Sequence, residues 1–316
     1  MAGAIFFEII YRIDFIGIDK PIFNTKGKTL CDRNMNGRCS IFEKFTGVVA
    51  LIIFVCNCTS AKLPAEPYDQ YTYQTSFRHV DDQLIIEIKN PLYAPLRVWM
   101  FNNSNTLQNL FDAEIPVEIG ARSDTSLIYD DITEFDQDIR FSSRLGSLRK
   151  EIKPVTLEFP FPENKEYRVL QGNNTNFTHN SDWSRYAIDF DLKTNDTVTS
   201  ASDGYVVGVV DKYEFGGKEA AWKPFANYIT VYEPESGIFI QYVHLVKNGS
   251  FVQVGDKIKA GQPIARSGNT GQSTIEHLHF NALVPENSEN GLRSVPIVFE
   301  GGIDGTQLKK GDVVQR

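Results

Sequence analysis

The chain has 316 residues, with 32 Lys and Arg against 40 Asp and Glu, a net charge of −8. Its ordinary glycine, proline and aromatic contents exclude collagen-like, low-complexity and wholly disordered classes, and its length suits about two domains. The acidic balance, with no clustered basic patch, excludes a nucleic-acid-binding surface, because phosphate neutralisation needs grouped Lys and Arg.

All four cysteines (Cys31, Cys39, Cys56 and Cys58) lie in the first fifth of the chain. The stretch from Thr46 to Cys58 (TGVVALIIFVCNC) is apolar over 13 residues, short of the roughly 20 a spanning helix needs. Arg38 and Lys44 precede it and Thr59, Ser60 and Ala61 follow, the order of a secretory signal peptide cut after Ala61. Residues 1–34 make a long, acid-containing lead, so translation is expected to begin at Met35. A lipid anchor on Cys58 stays open, although Asn57 is an awkward residue before it. Residues 1–61 are therefore read as a leader. The mature chain keeps 25 basic and 35 acidic groups; it is expected to be cysteine-free, without a stable transmembrane span, and exported to the periplasm or cell envelope.

Residues 62–162 alternate short apolar runs with turn residues. Leu84 to Lys89, Leu96 to Phe101, Ile115 to Ile119 and Ser126 to Tyr129 read as strands, punctuated by Pro91, Pro95, Asn102 to Asn105 and Ser123 to Thr125. The expectation is a β-sandwich-like accessory domain. Arg78, His79 and the acidic stretch Asp130 to Asp138 lack metal-ligand spacing and read as a solvated face. Pro154, Pro160 and Pro162 mark a linker.

Residues 163–286 are again β-rich. Val198 to Val210 (VTSASDGYVVGVV) and Val252 to Ala265 (VQVGDKIKAGQPIA) each set a glycine-bearing turn beside β-branched alternation, which predicts a curved, tightly turned antiparallel sheet. Lys257 and Lys259 lack the hairpin-tip context of a lipoyl or biotinyl carrier. Ser267 to Ser273 (SGNTGQS) lacks the Gly-Lys-Thr end of a phosphate loop and reads as a tight turn. Residues 287–316 read as an extended or hairpin tail packing on a neighbour.

Four of the five histidines fall in this second half: His179, His244, His277 and His279. In the segment HLHF, a strand puts His277 and His279 on one face and Leu278 and Phe280 on the other, because side chains alternate with period two; a structurally satisfied histidine pair is the alternative. Asp189, between Ile188 and Phe190, is costly to bury unless paired or bound to a cation. His179, in a polar loop ten residues earlier, can fold back to it, and His244 ends the apolar run QYVHL. Two histidines and one carboxylate with an open position suit a catalytic zinc ion, leaving further histidines for proton transfer.

These elements, in order, resemble the LytM or lysostaphin-type zinc metallopeptidases that cut peptidoglycan cross-bridges. The resemblance runs over roughly Gln171 to Pro285 and rests on His179 with AIDF, SDGYV, YVHL, GDKIKAGQPIA, SGNTGQS and HLHF. Many members carry the first histidine four residues before the aspartate, where this chain has Arg185; others carry it upstream in a loop reading FTHN, as at His179. The resemblance implies an all-β chain whose second domain is a curved antiparallel, duplicated-hybrid-motif-like metallopeptidase. It implies Zn2+ held by His179, Asp189 and His279, with His244 and His277 as catalytic histidines. Asp182 and Asp191 are read as solvated. Peptidoglycan stem peptides are the implied substrate, a diaminopimelate to D-alanine cross-link being expected over a polyglycine bridge. Groove walls are expected from Lys212 to Pro224 and Ser267 to Ser273, with Tyr213 and Trp222 as candidate substrate contacts, surface packing being the alternative. The rival reading is a catalytically silent regulator of another wall enzyme; a β-rich adhesion or carbohydrate-binding protein would leave the gathering of histidines unexplained.

Overall fold

A computed structural model of the chain describes residues 62–133, 138–175 and 178–316, and the backbone of 7–10. The expected start at Met35, the apolar leader run and the cysteines lie outside the described residues. Leu63–Arg316 belongs to one compact unit. No described helix is long and apolar enough to cross a membrane, and strands dominate the described residues.

In the first half, Gln74–Val80, Gln83–Lys89 and Asp124–Tyr129 form an antiparallel sheet, with the Phe7–Ile10 backbone paired at its edge. A second sheet joins Leu96–Phe101 to Val117–Ile119 and Arg140–Leu145. Leu84, Ile86 and Ile88 of the first and Leu96, Val98 and Met100 of the second are fully buried in one cluster. Each such side chain contributes about 1.5–3 kcal/mol by leaving water, so the period-two alternation fixes which face turns inward. The expected strand from Ile115 begins only at Val117, since Pro116 lacks an N–H for the ladder. A helix, Asn105–Asp112, stands where turn residues were expected and buries Leu107 and Phe111, one turn apart. Arg78 pairs with Glu87 at 2.7 Å, and half-buried His79 hydrogen-bonds Ile132 O at 2.6 Å, so this strand is less solvated than expected.

The second half is built on a nine-stranded sheet, antiparallel throughout. Its central strands run Gly204–Val210, Tyr228–Glu233, Ile238–Val243, Leu278–Pro285, Ile188–Phe190 and Glu166–Gln171. One face, including Ile240, Tyr242, Leu278, Phe280, Ile188 and Phe190, packs on a three-stranded sheet through Val198, Leu245, Ile264 and Ala265. The two glycine-turn repeats pair with each other: Val198 opposes Ala265, and Gly204 opposes Ile258.

The proline-marked segment is not a free linker. Phe159 and Phe161 are buried in this core, and the Phe159 ring stacks on Phe299 at 4.3 Å. The C-terminal stretch pairs in two places: Val298–Phe299 lies beside Thr156–Leu157, and Val313–Gln315 beside Glu166–Gln171.

The opposite face of the large sheet holds three transverse rows of side chains. Gln171, Asp189, His279, Val243 and Tyr228 are register partners on neighbouring strands. Two residues along each strand stand Asn281, Gln241 and Thr230, and two further on Leu283, Phe239 and Tyr232. The last three belong to the first half's hydrophobic cluster. One sheet face thus carries polar, titratable chemistry at one end and the accessory strands at the other.

Candidate metal centre

The five residues singled out from sequence meet at the first of these rows. Asp189 enters from the Ile188–Phe190 strand, whose neighbours Ile188 and Phe190 are buried on the opposite face. His279 is its direct cross-strand partner, and His179 folds back from the stretch 178–187. His279 Nδ1 lies 2.9 Å from Asp189 Oδ1, His179 Nε2 lies 3.3 Å from the same oxygen, and the two ring nitrogens are 3.3 Å apart. Among the described residues these three form the group able to hold a metal ion. A tetrahedral site with ligands at about 2.0–2.1 Å has edges of about 3.3 Å, so the donor triangle fits one face of a zinc site. His179 Nδ1–H donates to Gly172 O at 2.9 Å, which leaves its Nε2 lone pair directed at the other donors.

His244 and His277 stand beside the triangle with ring centroids 4.5 Å apart, and His277 Nε2 is 3.7 Å from Asp189 Oδ1. Each is oriented through Nδ1: His244 donates to Thr270 O at 2.6 Å, His277 to Ile275 O at 2.8 Å. Both Nε2 atoms therefore keep a free lone pair. His244 sits at φ +68°, a conformation costing an L-residue roughly 1–2 kcal/mol. Buried Asn227 and Thr270 hold this turn. Leu245 O accepts from Asn227 Nδ2 at 3.1 Å and from Thr270 Oγ1 at 2.8 Å, and Asn227 N–H donates to Thr270 Oγ1 at 3.0 Å. Gly271, at φ +75°, follows Thr270, and a Cβ there would lie 2.5 Å from that of Ala226.

Burial works against every charge here, and pairing decides the outcome. It would raise the Asp189 carboxyl, but the neighbouring imidazoles of His277, His179 and His279 hold it well below the usual carboxylate range. His179 is also desolvated, yet the Asp189 carboxylate 3.3 Å away raises it. His244 is pushed well below the usual imidazole value by burial and by His277 and His279, so its ring is neutral at neutral pH. His279 is lowered chiefly by burial.

The histidines open into a groove of about 430 Å3, lined also by Gln272 and Ser273 of the expected turn and by Lys223 of the other expected wall. Tyr213 and Trp222 do not line it. They are buried with Val210 and Phe225 in a small core of their own, an outcome aromatic residues in a glycine-rich loop do not announce. Asp182 and Asp191 pair with Arg185 and Lys193 at 2.9 and 2.6 Å, outside the triangle. Asn227 and Thr270 were not singled out from sequence. The SGNTGQS turn was the available signal for Thr270, while Asn227 gives none until its four hydrogen bonds are visible.

Residues 184–290 match Peptidase family M23. The chain is 37% identical over 110 residues to the glycyl-glycine endopeptidase ALE-1 of Staphylococcus capitis, a stretch covering 34% of this chain and 26% of that protein. It is 37% identical over 117 residues to lysostaphin of Staphylococcus simulans, covering 36% and 21%. It is 34% identical over 106 residues to the peptidoglycan DD-endopeptidase ShyB of Vibrio cholerae serotype O1, covering 34% and 22%. The chain spans about a quarter of the length of these relatives. His179 lies just upstream of the family match.

Proposed function

Residues 184–290 form a peptidase M23 domain, and from that premise we propose that the protein is an exported zinc metalloendopeptidase hydrolysing peptide cross-links of peptidoglycan. The observation that carries the reading is the donor triangle of His179, Asp189 and His279, whose 2.9–3.3 Å edges suit a tetrahedral zinc ion. The sequence relatives named for peptidoglycan or glycyl-glycine endopeptidase activity support the substrate class. We assign residues 62–162 to an accessory domain, 163–286 to the catalytic domain and 287–316 to a packed tail. The leader reading carries the proposal of a periplasmic or envelope location.

In this mechanism His179 Nε2, Asp189 Oδ1 and His279 Nδ1 would hold the ion. Bound there, zinc supplies Lewis-acid polarisation of the scissile carbonyl and lowers the pKa of a water toward about 7. The chain's own work is then proton transfer and charge placement. His244 and His277, with Nδ1–H tied to Thr270 O and Ile275 O, keep Nε2 ready to accept the attacking water's proton. The protonated imidazole returns that proton to the leaving amine, and the paired rings stabilise charge developing on the carbonyl oxygen. His244's strained, doubly tethered turn fixes its ring, which matters because a misplacement of about 1 Å can cost 10²-fold.

The test is digestion of purified peptidoglycan by the zinc-loaded protein and by His279→Ala. The wild type should convert cross-linked muropeptides to monomers, with the new chain ends naming the bond, while the variant leaves them intact. Undigested cross-links with zinc-loaded wild type would refute the endopeptidase reading.

A further inference from the structure

The accessory strands reach the groove. Arg144, on the Arg140–Leu145 strand, lines it together with Lys223 and Lys310, and beyond Arg144 a second concavity of about 360 Å3 continues past Trp99 and Phe101. None of these three cations has an ion pair among the described residues, and Lys223 and Lys310 are exposed. The acids on the groove wall are Asp189, committed to its histidines, and Glu289. A cationic rim on a chain of net charge −8 is a local reversal of charge that suits an anionic ligand.

Arg144 is also built into place. Its Nε donates to Glu289 O at 2.7 Å and its Nη1 to Ser143 O at 2.7 Å and Ser142 Oγ at 3.2 Å, leaving Nη2 without a hydrogen bond among the described residues. Its stem lies against Gly291, where a Cβ would come within 2.6 Å of Arg144 Cγ and Cδ. The loop carrying Glu289 and Gly291 is held in turn by Arg97, which is fully buried and donates to Glu286 O at 2.9 Å and Gly291 O at 2.5 Å. A guanidinium ordered in advance gives up little rotamer freedom on binding, and its planar donors match a carboxylate.

We propose that Arg144 is a specificity-determining residue contributed by the accessory domain, binding a free carboxylate of the substrate peptide where the groove passes from the histidines toward Trp99. This rests on the endopeptidase reading for the nature of the substrate. On this account the enzyme discriminates acidic stem peptides from amidated ones, the carboxylate gaining a charge-assisted bond that an amide lacks.

The experiment titrates a linear stem tetrapeptide, with free carboxylates or fully amidated, into the zinc-loaded protein, and measures cleavage of the corresponding cross-linked dimers. Wild type should bind the free acid roughly tenfold or more tightly than the amide, the size of a charge-assisted hydrogen bond. Arg144→Gln should bind both alike with unchanged zinc content, Arg144→Lys should keep part of the preference, and in turnover the difference should appear in KM rather than kcat. Persistence of the preference in Arg144→Gln overturns the proposal, as does equal weakening of both peptides, which marks a purely structural role. Preferential, Arg144-dependent binding without cleavage supports the carboxylate site and refutes the endopeptidase reading. Cleavage of both dimers at equal KM does the reverse.

Discussion

The two ends of one sheet face make an instructive comparison. At one end Asp189, His279, Val243 and Tyr228 stand in a row over the groove; two rows away, on three of the same strands, Leu283, Phe239 and Tyr232 lie under the accessory strands. The backbone is the same antiparallel ladder in both places. At the hydrophobic end stability comes from apolar area removed from water. At the histidine end five polar side chains are gathered at the cost of desolvation, offset by mutual pairing and fixed backbone acceptors. Between them Asn281, Gln241 and Thr230 form a satisfied polar row: Gln241 Nε2 donates to Thr230 Oγ1 at 3.2 Å and Asn281 Nδ2 to Trp183 O at 2.7 Å. One end gathers the proposed metal and proton-transfer groups at some cost to stability, and the other supplies stability.

Substitutions at the two ends should therefore separate activity from stability. The largest expected effect is on catalysis: His244→Ala should lower kcat on cross-linked muropeptides by about 10²- to 10⁴-fold while the urea midpoint changes little. A large fall in midpoint without a fall in kcat would exchange the roles of the two ends. Phe239→Ala, at a fully buried site, should cost about 3–5 kcal/mol of unfolding free energy and lower the melting of both halves in one transition, with kcat of the folded fraction retained. Two separate transitions would mean that the shared cluster does not couple the halves.

Arg97→Leu removes the donor for four carbonyls, Leu145 O, Gly146 O, Glu286 O and Gly291 O. It should cost about 3 kcal/mol and raise KM as the 286–291 wall loosens, measured by denaturant unfolding alongside kinetics. The smallest effect is expected at Glu118, which accepts from Ser147 Oγ, Leu148 N–H and Arg149 Nε at 2.6, 2.9 and 3.1 Å. Burial raises its carboxyl, but these donors outweigh it and hold the carboxyl below its ordinary value of 4.5. A depressed folded-state value means that its contribution is present above that pH and is lost as the pH falls through the folded value. The stability gap between wild type and Glu118→Gln should therefore narrow as the pH falls below about 4.5; a gap that widens would reverse the sign.

How much of this was legible in the sequence differs between the same regions. HLHF and AIDF announce their faces because period-two alternation is a local property, and the histidine-rich order of motifs carries the site. The transverse rows are not local. They depend on which strands become neighbours, so nothing around Phe239 or Leu283 marks them as accessory contacts rather than domain core. Arg97 and Arg144 look like ordinary charges until their carbonyl partners, nearly 200 and about 145 residues away, are in place. The Asn105–Asp112 helix hid behind the turn-forming run Asn102 to Asn105, although Asn102 Oδ1 in fact accepts from Ser104 N–H just ahead of it, and the spacing of Leu107 and Phe111 was its one local signal. Tyr213 and Trp222 misled for the opposite reason: aromatic character suggests a substrate contact and a buried core equally.

In the proposed site His179, Asp189 and His279 hold the metal while His244 and His277 do not. Zinc stoichiometry of the purified wild type and the five single alanine variants tests it most directly. One zinc per chain is expected for wild type, His244→Ala and His277→Ala, and loss of zinc in His179→Ala, Asp189→Ala and His279→Ala. Full zinc occupancy in His179→Ala, or its loss in His244→Ala with the fold intact, would contradict it.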